Sequence, residues 1–445
     1  MGLRKWLLLA TLLALTVVSL IGTTVIFAAN TASKVNLTYW WWGESDAPGA
    51  DKWVRETADL YHKQHPNVTI NIVPQSTDTL IAAFKTAAQA KSGPDLASQW
   101  ATIPTLSQAW AKAIVPISDY IPKSELKHWV NLDENLYAGK FWGGSLYLMG
   151  TPLVYNKSLF KKAGLDPEKA PKTWNEFLQD CAKLKAAGIT PIGAGNKGSS
   201  YFGAWMFSML GVQYLDSPSD IIKAVIGDAS FSDPKHSEWL NKFNELYEKG
   251  YFNDDISSLE AGQGMDLFSS GKVAFIWATD GNVLQFAKDL GPETIGLTKT
   301  PVLGNGKLKD TYTTTQSTSQ VITSWCSNKK VAADFLVFMH TPERMKAWYL
   351  GTNTFPADDR FDKNLITDPI MKQLLILNTS YKNIWLENYI PTQLDMNGYR
   401  SVGQLIVSGS GKPNDAVALL ERNIKLWRLQ KQDELAQFKL WSKSK

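Results

Sequence analysis

Three consecutive tryptophans, Trp40, Trp41 and Trp42, precede a polar turn carrying Glu44 and Asp46. A strand buries at most every second residue on one face, so a single core does not claim all three indoles. Similar groupings recur at Gln99-Trp100, at Tyr201-Phe202 with Trp205, and at Trp277 followed by Asp280-Gly281-Asn282. An aromatic face flanked by Glu, Gln, Asp, Asn or Thr suits a pyranose: the C–H face of the sugar stacks on the ring while its hydroxyls pair with the polar groups. Core packing explains any one of these aromatics equally well, and the recurrence singles out the group. Part of the aromatic wealth, 18 Trp, 15 Tyr and 18 Phe, simply fills a large interior.

Other chemistries are less well supplied. GAGNKG (Gly193 to Gly198) matches G-x-G-x-x-G between a strand and a helix, with Asp216 about 20 residues on. It is one short motif in a chain that begins like an exported one, and a strand-to-helix loop is the better reading. His62, His65, His128, His236 and His340 show no H-E-x-x-H or Cys/His spacing, so no metal is expected. A G-x-S-x-G elbow is absent; Ser408-Gly409-Ser410-Gly411 reads as a loop before a helix. A glycosidase needs two carboxylates about 5 to 10 Å apart, and Glu44 with Asp280 is the pair to nominate, against a reading of ordinary hydrogen bonding or solvation for both. No catalytic constellation or cofactor is expected beyond that alternative.

The elements that must position these residues read as alternating strands and helices. KVNLTYWW is a strand in which Trp41 shares a face with Leu37 and Tyr39, and Trp40 shares the other with Thr38. A helical pattern over Trp53, Ala58, Leu60 and Tyr61 ends at His65-Pro66, NVTINIVPQ alternates, DTLIAAFKTAAQAKSG is helical, and PDLASQWA is a short strand. This β-α-β-α-β order predicts a parallel sheet covered by helices. A second unit starts near Leu153. It contains LVYNKSLFKKAG, the helix PKTWNEFLQDCAKLKAAG with a Thr173/Glu176 capping box, the strand ITPIGAG, and the buried strand within MDLFSSGKVAFIWATDGN. In open α/β sheets ligands bind beyond the strand C-terminal ends, where the aromatic groupings fall.

At 445 residues the chain exceeds what one core sustains, so two domains are expected. Arg4-Lys5 precede an uncharged apolar run from Trp6 to Ala29, read as a signal peptide or an uncleaved anchor that sends the rest outside the cytoplasm. Formal charge is +4, of which Arg4 and Lys5 supply two, and no Lys/Arg run offers a footprint for nucleic acid. Cys181 and Cys326 read as buried free thiols rather than a disulfide, and the sequons at Asn36, Asn67, Asn156 and Asn378 as chance matches.

From Asn36 to the C-terminal helix the chain resembles the extracellular solute-binding proteins of carbohydrate ABC importers, a group that includes maltose- and glucose-binding proteins. The resemblance is carried by the Trp-rich first strand, GPDLASQW, LYAGKFWGGSLYLMGTPLVYNKSLFKKAGL, PKTWNEFLQDCAKLKAAGITPI, FSSGKVAFIWATDG and VAADFLVFMHTPERMKAW; YNKSLFKKAGL followed by PKTWNEF is its most specific part. It implies an α/β, two-lobed periplasmic-binding-protein fold of type II with crossovers near Met149, Gln316 to Ser319 and Ala357 to Phe361. The lobes would be residues 33–148 with 318–358, and 149–317 with 359–445, after a leader over 1–32. The resemblance also implies a monomer that captures a mono- or oligosaccharide by hinge closure and delivers it to an ABC permease; a component that presents its ligand to a membrane sensor is the alternative, beside the secreted carbohydrate-active enzyme. Membrane contact would then come only through the N-terminal segment.

Carried over residue by residue, it points to Trp41, Trp42 and Glu44 as ligand contacts, leaving Trp40 to packing. It further points to Gln99 and Trp100, Tyr201 and Phe202, Gln316 and Ser317 (with Thr315), and Asn353. Many relatives place a stacking Trp in the turn that is Thr279-Asp280-Gly281-Asn282 here; this turn has none, so Asp280 and Asn282 are expected to hydrogen-bond instead.

Overall fold

The computed structural model describes residues 33–198, 202–316, 318–381 and 384–443. The leader expected over residues 1–32 lies outside that set. The strands are β1 (Val35–Trp41), β2 (Val68–Pro74), β3 (Leu96–Gln99), β4 (Ile114–Val115), β5 (Leu136–Tyr137), β6 (Lys140–Phe141), β7 (Gly144–Ser145), β8 (Leu148–Gly150), β9 (Leu153–Asn156), β10 (Thr190–Ile192), β11 (Val273–Trp277), β12 (Ile295–Thr298), β13 (Thr314–Gln316) and β14 (Ser319–Thr323). One sheet has the order β2-β1-β3-β14-β4 with β7 beside β14, and a second has the order β10-β11-β9-β12. Each sheet forms the centre of one lobe.

The sheets are not wholly parallel, as the alternation alone predicts. β1 is parallel to β2 and β3, but β14 is antiparallel to β3. Likewise β10 is parallel to β11, while β9 is antiparallel to β11 and β12. The reversed strands are those that arrive directly from the other lobe. β8 pairs antiparallel with β13 at Leu148–Gln316 through Gly150–Thr314, and these continue into β9 and β14 respectively. A third passage lies beside them: Leu148 N–H donates to Phe355 O at 2.9 Å, and Ala357 N–H to Leu146 O at 2.9 Å.

Local signals account for the helices. The Ala50–Gln64 helix buries Trp53, Val54, Thr57, Ala58 and Tyr61, a stripe at three- and four-residue spacing. The Trp174–Ala186 helix starts on the expected capping box: Glu176 N–H donates to Thr173 Oγ1 at 3.3 Å and Glu176 Oε2 accepts from Thr173 N–H at 3.0 Å. Its Phe177, Cys181 and Leu184 enter the second-lobe core together with the late helices Pro413–Gln430 and Gln432–Ser442. Leu37, Tyr39 and Trp41 of β1 join Trp53 and Trp348 in the first-lobe core.

Both cysteines are free and buried, Cys181 in the second-lobe core and Cys326 in the first. Two sequon asparagines are buried as well: Asn156 caps the helix at Lys157, and Asn378 accepts from Thr314 Oγ1 of β13 at 3.0 Å. No helix among the described residues is long and apolar enough to cross a membrane.

Candidate functional site

A cleft of about 380 Å³ opens between the sheets. Its first-lobe wall is set by β1 and β3. Trp42, one residue past β1, donates its backbone N–H to Ser98 Oγ at 3.2 Å and its indole Nε1 to Ser45 Oγ at 2.8 Å. Trp100, one residue past β3, meets Trp42 edge-to-face with centroids 6.1 Å apart. The polar turn adds Ser45 and Asp46 to the lining, and Asp46 Oδ2 accepts from the Tyr147 hydroxyl at 3.0 Å.

The second-lobe wall comes from three helix starts and one irregular turn. Trp205, in the Phe202–Leu210 helix, packs edge-to-face on Trp385 at 5.8 Å. That helix crosses Arg400–Val407 at two glycines: a Cβ on Gly203 would lie 2.2 Å from Tyr399 O and 2.6 Å from Gly403 N, so only glycine permits the approach. Gly262 and Met265 line the cleft from the Ala261–Ser269 helix, as do Thr279 and Asn282 at the head of Asp280–Leu290; Thr279 Oγ1 donates to Asn282 Oδ1 at 2.8 Å.

The last part of the wall is Trp385, Glu387 and Asn388. Glu387 Oε2 accepts from Trp385 Nε1 at 3.0 Å and Glu387 Oε1 faces Arg400 Nη2 at 3.5 Å. Arg400 also donates through Nε to Asp395 at 3.1 Å, and its guanidinium lies 5.5 Å from the Trp100 ring centroid. Burial, with Glu387 nearby, raises the Asp395 carboxyl above the usual range against the pull of Arg400. Four indoles thus surround a space edged by carboxylates, amides and hydroxyls. The arrangement can hold flat apolar faces and accept hydrogen bonds from a polyol.

Of the residues expected from sequence, Trp42, Trp100 and Asn282 line this cleft. Trp41 does not. It is 0% exposed, edge-to-face with Tyr39 and Trp348, because it lies on the core face of β1. Glu44 is turned away to the head of the Ala50–Gln64 helix, where its oxygens accept from Gly49 N–H at 2.9 Å and Asp51 N–H at 2.8 Å. Gln99 is buried beside Trp100 with Nε2 donating to Ser98 O. Phe202 packs between Phe243 and Phe252 in the second-lobe core.

Asp280 is wholly buried and accepts from Gly150 N–H at 3.0 Å, Asn378 Nδ2 at 3.1 Å and the Tyr312 hydroxyl at 3.4 Å. A Cβ at position 150 would meet Tyr312 Oη at 2.6 Å and the Asp280 oxygens at 2.9 Å, so Gly150 is what lets the carboxylate reach the crossing strand. With Glu44 and Asp280 both committed to backbone amides, the nominated glycosidase pair does not face the cleft. Asn353 is an exposed helix C-cap with φ of 54°. Gln316 pairs through its backbone with Leu148, while its side chain, Ser317 and Tyr201 lie outside the described residues.

The sequence reading placed Trp205, Asp46 and Thr279 in candidate segments without carrying them forward as contacts, and it missed Ser45, Met149, Gly262, Met265 and the Trp385–Asn388 group as site residues. Trp385-Leu386-Glu387-Asn388 carries the same aromatic-plus-acid signature as Trp42 and Glu44. It escaped a search restricted to strand ends, because it sits in a short 3₁₀ turn, Leu386–Tyr389.

The profile of bacterial extracellular solute-binding proteins matches residues 44–346. An sn-glycerol-3-phosphate-binding periplasmic protein of Yersinia enterocolitica is 25% identical over 405 residues, spanning 80% of this chain and 84% of the relative. Among solved structures, a chitin oligosaccharide binding protein superposes with a TM-score of 0.79 at 20% identity, covering 88% of this chain and 98% of its own. A sugar transporter protein from Bacillus licheniformis, in complex with stachyose, gives 0.70 at 18% identity, covering 88% and 100%.

Proposed function

The chain belongs to the bacterial extracellular solute-binding proteins, and from that premise we propose that it is the sugar-capturing component of an ABC importer. The observation that carries this reading is the ring of four indoles, Trp42, Trp100, Trp205 and Trp385, around a cleft with hydroxyl, amide and carboxylate acceptors. Stacked aromatic faces with flanking acceptors match a pyranose better than a linear peptide or a bare ion. The structural relatives named above for chitin oligosaccharide and for stachyose support an oligosaccharide in a cleft of this shape.

The protein works outside the cytoplasm. The ligand touches both walls only when the lobes are closed, so binding shifts the population toward the closed form. A membrane permease then distinguishes loaded from empty protein by shape. In this reading the lobes are residues 33–148 with 318–358 and 149–317 with 359–445, the protein acts as a monomer, and no covalent chemistry takes place. A micromolar complex needs roughly −8 kcal/mol, which several stacked faces and charge-assisted hydrogen bonds supply after ordering costs.

Thermal shift against an oligosaccharide panel tests the proposal. Wild type should gain stability with at least one sugar; Trp42→Ala should lose that gain while its free form melts near the wild-type temperature. Trp41→Ala is the internal contrast, since it should lower the melting temperature of the free protein. Release of smaller sugars on prolonged incubation would establish an enzyme and overturn the binding-only reading.

A further inference from the structure

The crossing strands are not all that connects the lobes. The Ile103–Trp110 helix lies in sequence between β3 and β4, two strands of the first-lobe sheet. Its Ile103 and Leu106 are nevertheless wholly buried in the second-lobe core, which therefore continues across the boundary between the lobes.

The Gln432–Ser442 helix supplies the other side of that contact. Phe438 is wholly buried, edge-to-face with Trp427 of the second lobe at 6.0 Å and with Trp110 of the first lobe at 6.0 Å. One residue before it, Gln437 Oε1 accepts from the Tyr137 hydroxyl at 2.5 Å, and Tyr137 packs edge-to-face on Trp110 at 5.9 Å. Trp441 keeps the helix on the second lobe through Phe438 at 5.5 Å and Tyr389 at 6.3 Å. Charge crosses the same seam. Burial raises the Glu434 carboxyl against the pull of Lys431 and of Lys85, which belongs to the first-lobe helix Thr77–Ala90. Further along, Pro104 and Gln108 meet Thr392 across a crevice of only about 10 Å³.

Two bodies joined by a few strands turn freely unless an apolar interface ties them. None of Trp110, Tyr137, Gln437 and Phe438 belongs to the crossing strands or lines the cleft. Turning the lobes about β8 and β13 displaces these residues relative to one another, and packing attraction fades within about 1 Å of separation. In the arrangement that keeps the contact, both cleft walls face one space of about 380 Å³.

We propose that the Gln432–Ser442 helix is a strap between the lobes: by docking Gln437 and Phe438 on Tyr137 and Trp110 it holds the lobes in this arrangement and sets ligand affinity from outside the cleft. Apparent affinity falls in proportion to the share of molecules in the binding-competent arrangement, so the strap acts on binding without touching a ligand. Only this effect on affinity rests on the sugar reading above.

The test combines small-angle scattering of the free protein with calorimetric titration of chitotriose, maltose, raffinose and stachyose. Trp110→Ala removes the first-lobe ring and leaves Phe438 its contacts with Trp427 and Trp441. It should enlarge the radius of gyration of the free protein and weaken each sugar that binds by about threefold or more. Trp110→Phe, which restores an aromatic edge, should recover most of both effects, and Tyr137→Phe should give a smaller change of the same sign. Gln437→Ala, which also breaks the 2.5 Å bond, serves as a second variant if Trp110→Ala does not fold. A radius unchanged in Trp110→Ala, or in Gln437→Ala where it stands in, overturns the strap whatever the affinity. A smaller radius with tighter binding overturns it too, because the contact would then hold the lobes apart. If none of the four sugars binds, the sugar reading loses its support while the scattering still decides the strap.

Discussion

Asp280 and Asp358 are both buried beside chain that crosses between the lobes, and they differ in what surrounds the charge. Asp280 receives hydrogen bonds from the Gly150 amide, Asn378 and Tyr312, all neutral donors. Burial pushes its carboxyl up to about 6, and those donors only moderate the rise. Asp358 is buried too, which by itself would raise it. But Arg360 donates to it through Nε at 2.8 Å and Nη2 at 2.6 Å, and His340 Nδ1 lies 3.3 Å away. These partners hold Asp358 well below the usual carboxylate range. Arg360 reaches on to Glu125 at 2.6 Å and to His340 O at 3.0 Å, and the His340 ring stacks on Trp129 at 3.8 Å. Neutral hydrogen bonds position a buried carboxylate and stabilise its charge only in part; a full cation outweighs the burial as well.

Removing the cation should break the contrast most severely. Arg360→Ala leaves Asp358 and Glu125 without their shared partner, and loss of one member of a buried pair costs about 3–5 kcal/mol. Urea unfolding at neutral pH measures it, and a loss under about 1 kcal/mol would mean the pairing contributes little to holding the third passage.

The next effect is a pH dependence of opposite sign at the two sites. Asp280 has a folded pKa of about 6, above its ordinary 3.8. The folded state therefore binds the proton more tightly, and Asp280 contributes stability that is fully present below pH 3.8 and lost as pH rises through about 6. Relative to Asp280→Asn, wild type should gain roughly 2 kcal/mol between pH 7 and pH 4. Asp358 runs the other way: its contribution is present above pH 3.8 and lost only at more acid pH, as the lowered carboxyl protonates. Parallel urea titrations of wild type and Asp280→Asn across this window would show a flat difference if Asp280 were not the titrating group.

The smallest expected change sharpens the role of the neutral donors. Tyr312→Phe removes the 3.4 Å hydroxyl contact, at a cost of about 1 kcal/mol at pH 7. It should also move the Asp280 transition to higher pH, since one donor that favours the charged form is gone. A shift to lower pH would show that the hydroxyl does not favour the carboxylate.

Much of the fold is legible in the sequence because it rests on local rules. The Thr173/Glu176 box, the Trp53–Tyr61 stripe and the alternation of β1 all appear as read. β1 is instructive in a second way. Alternation alone groups Trp41 with Leu37 and Tyr39, and all three are buried in the core. The family resemblance drew Trp41 toward the ligand, and there the period-two rule was the better guide. Trp42 and Trp100 were readable as cleft residues because they lie just past strand ends. Asp46 and Glu387 were not, because facing the cleft depends on how a turn is folded.

By itself, then, the sequence determined the strand and helix pattern, the capping, the aromatic excess and the family, since each is written in residue types at short spacing. Tertiary structure alone decided which acids face the cleft and which serve the backbone. Glu44 caps a helix while Asp46, two residues on, lines the cleft. It also decided that Asp280 would meet Gly150 across 130 residues of chain. Those outcomes depend on distant segments that supply the donors and exclude the water, and no local pattern encodes that supply.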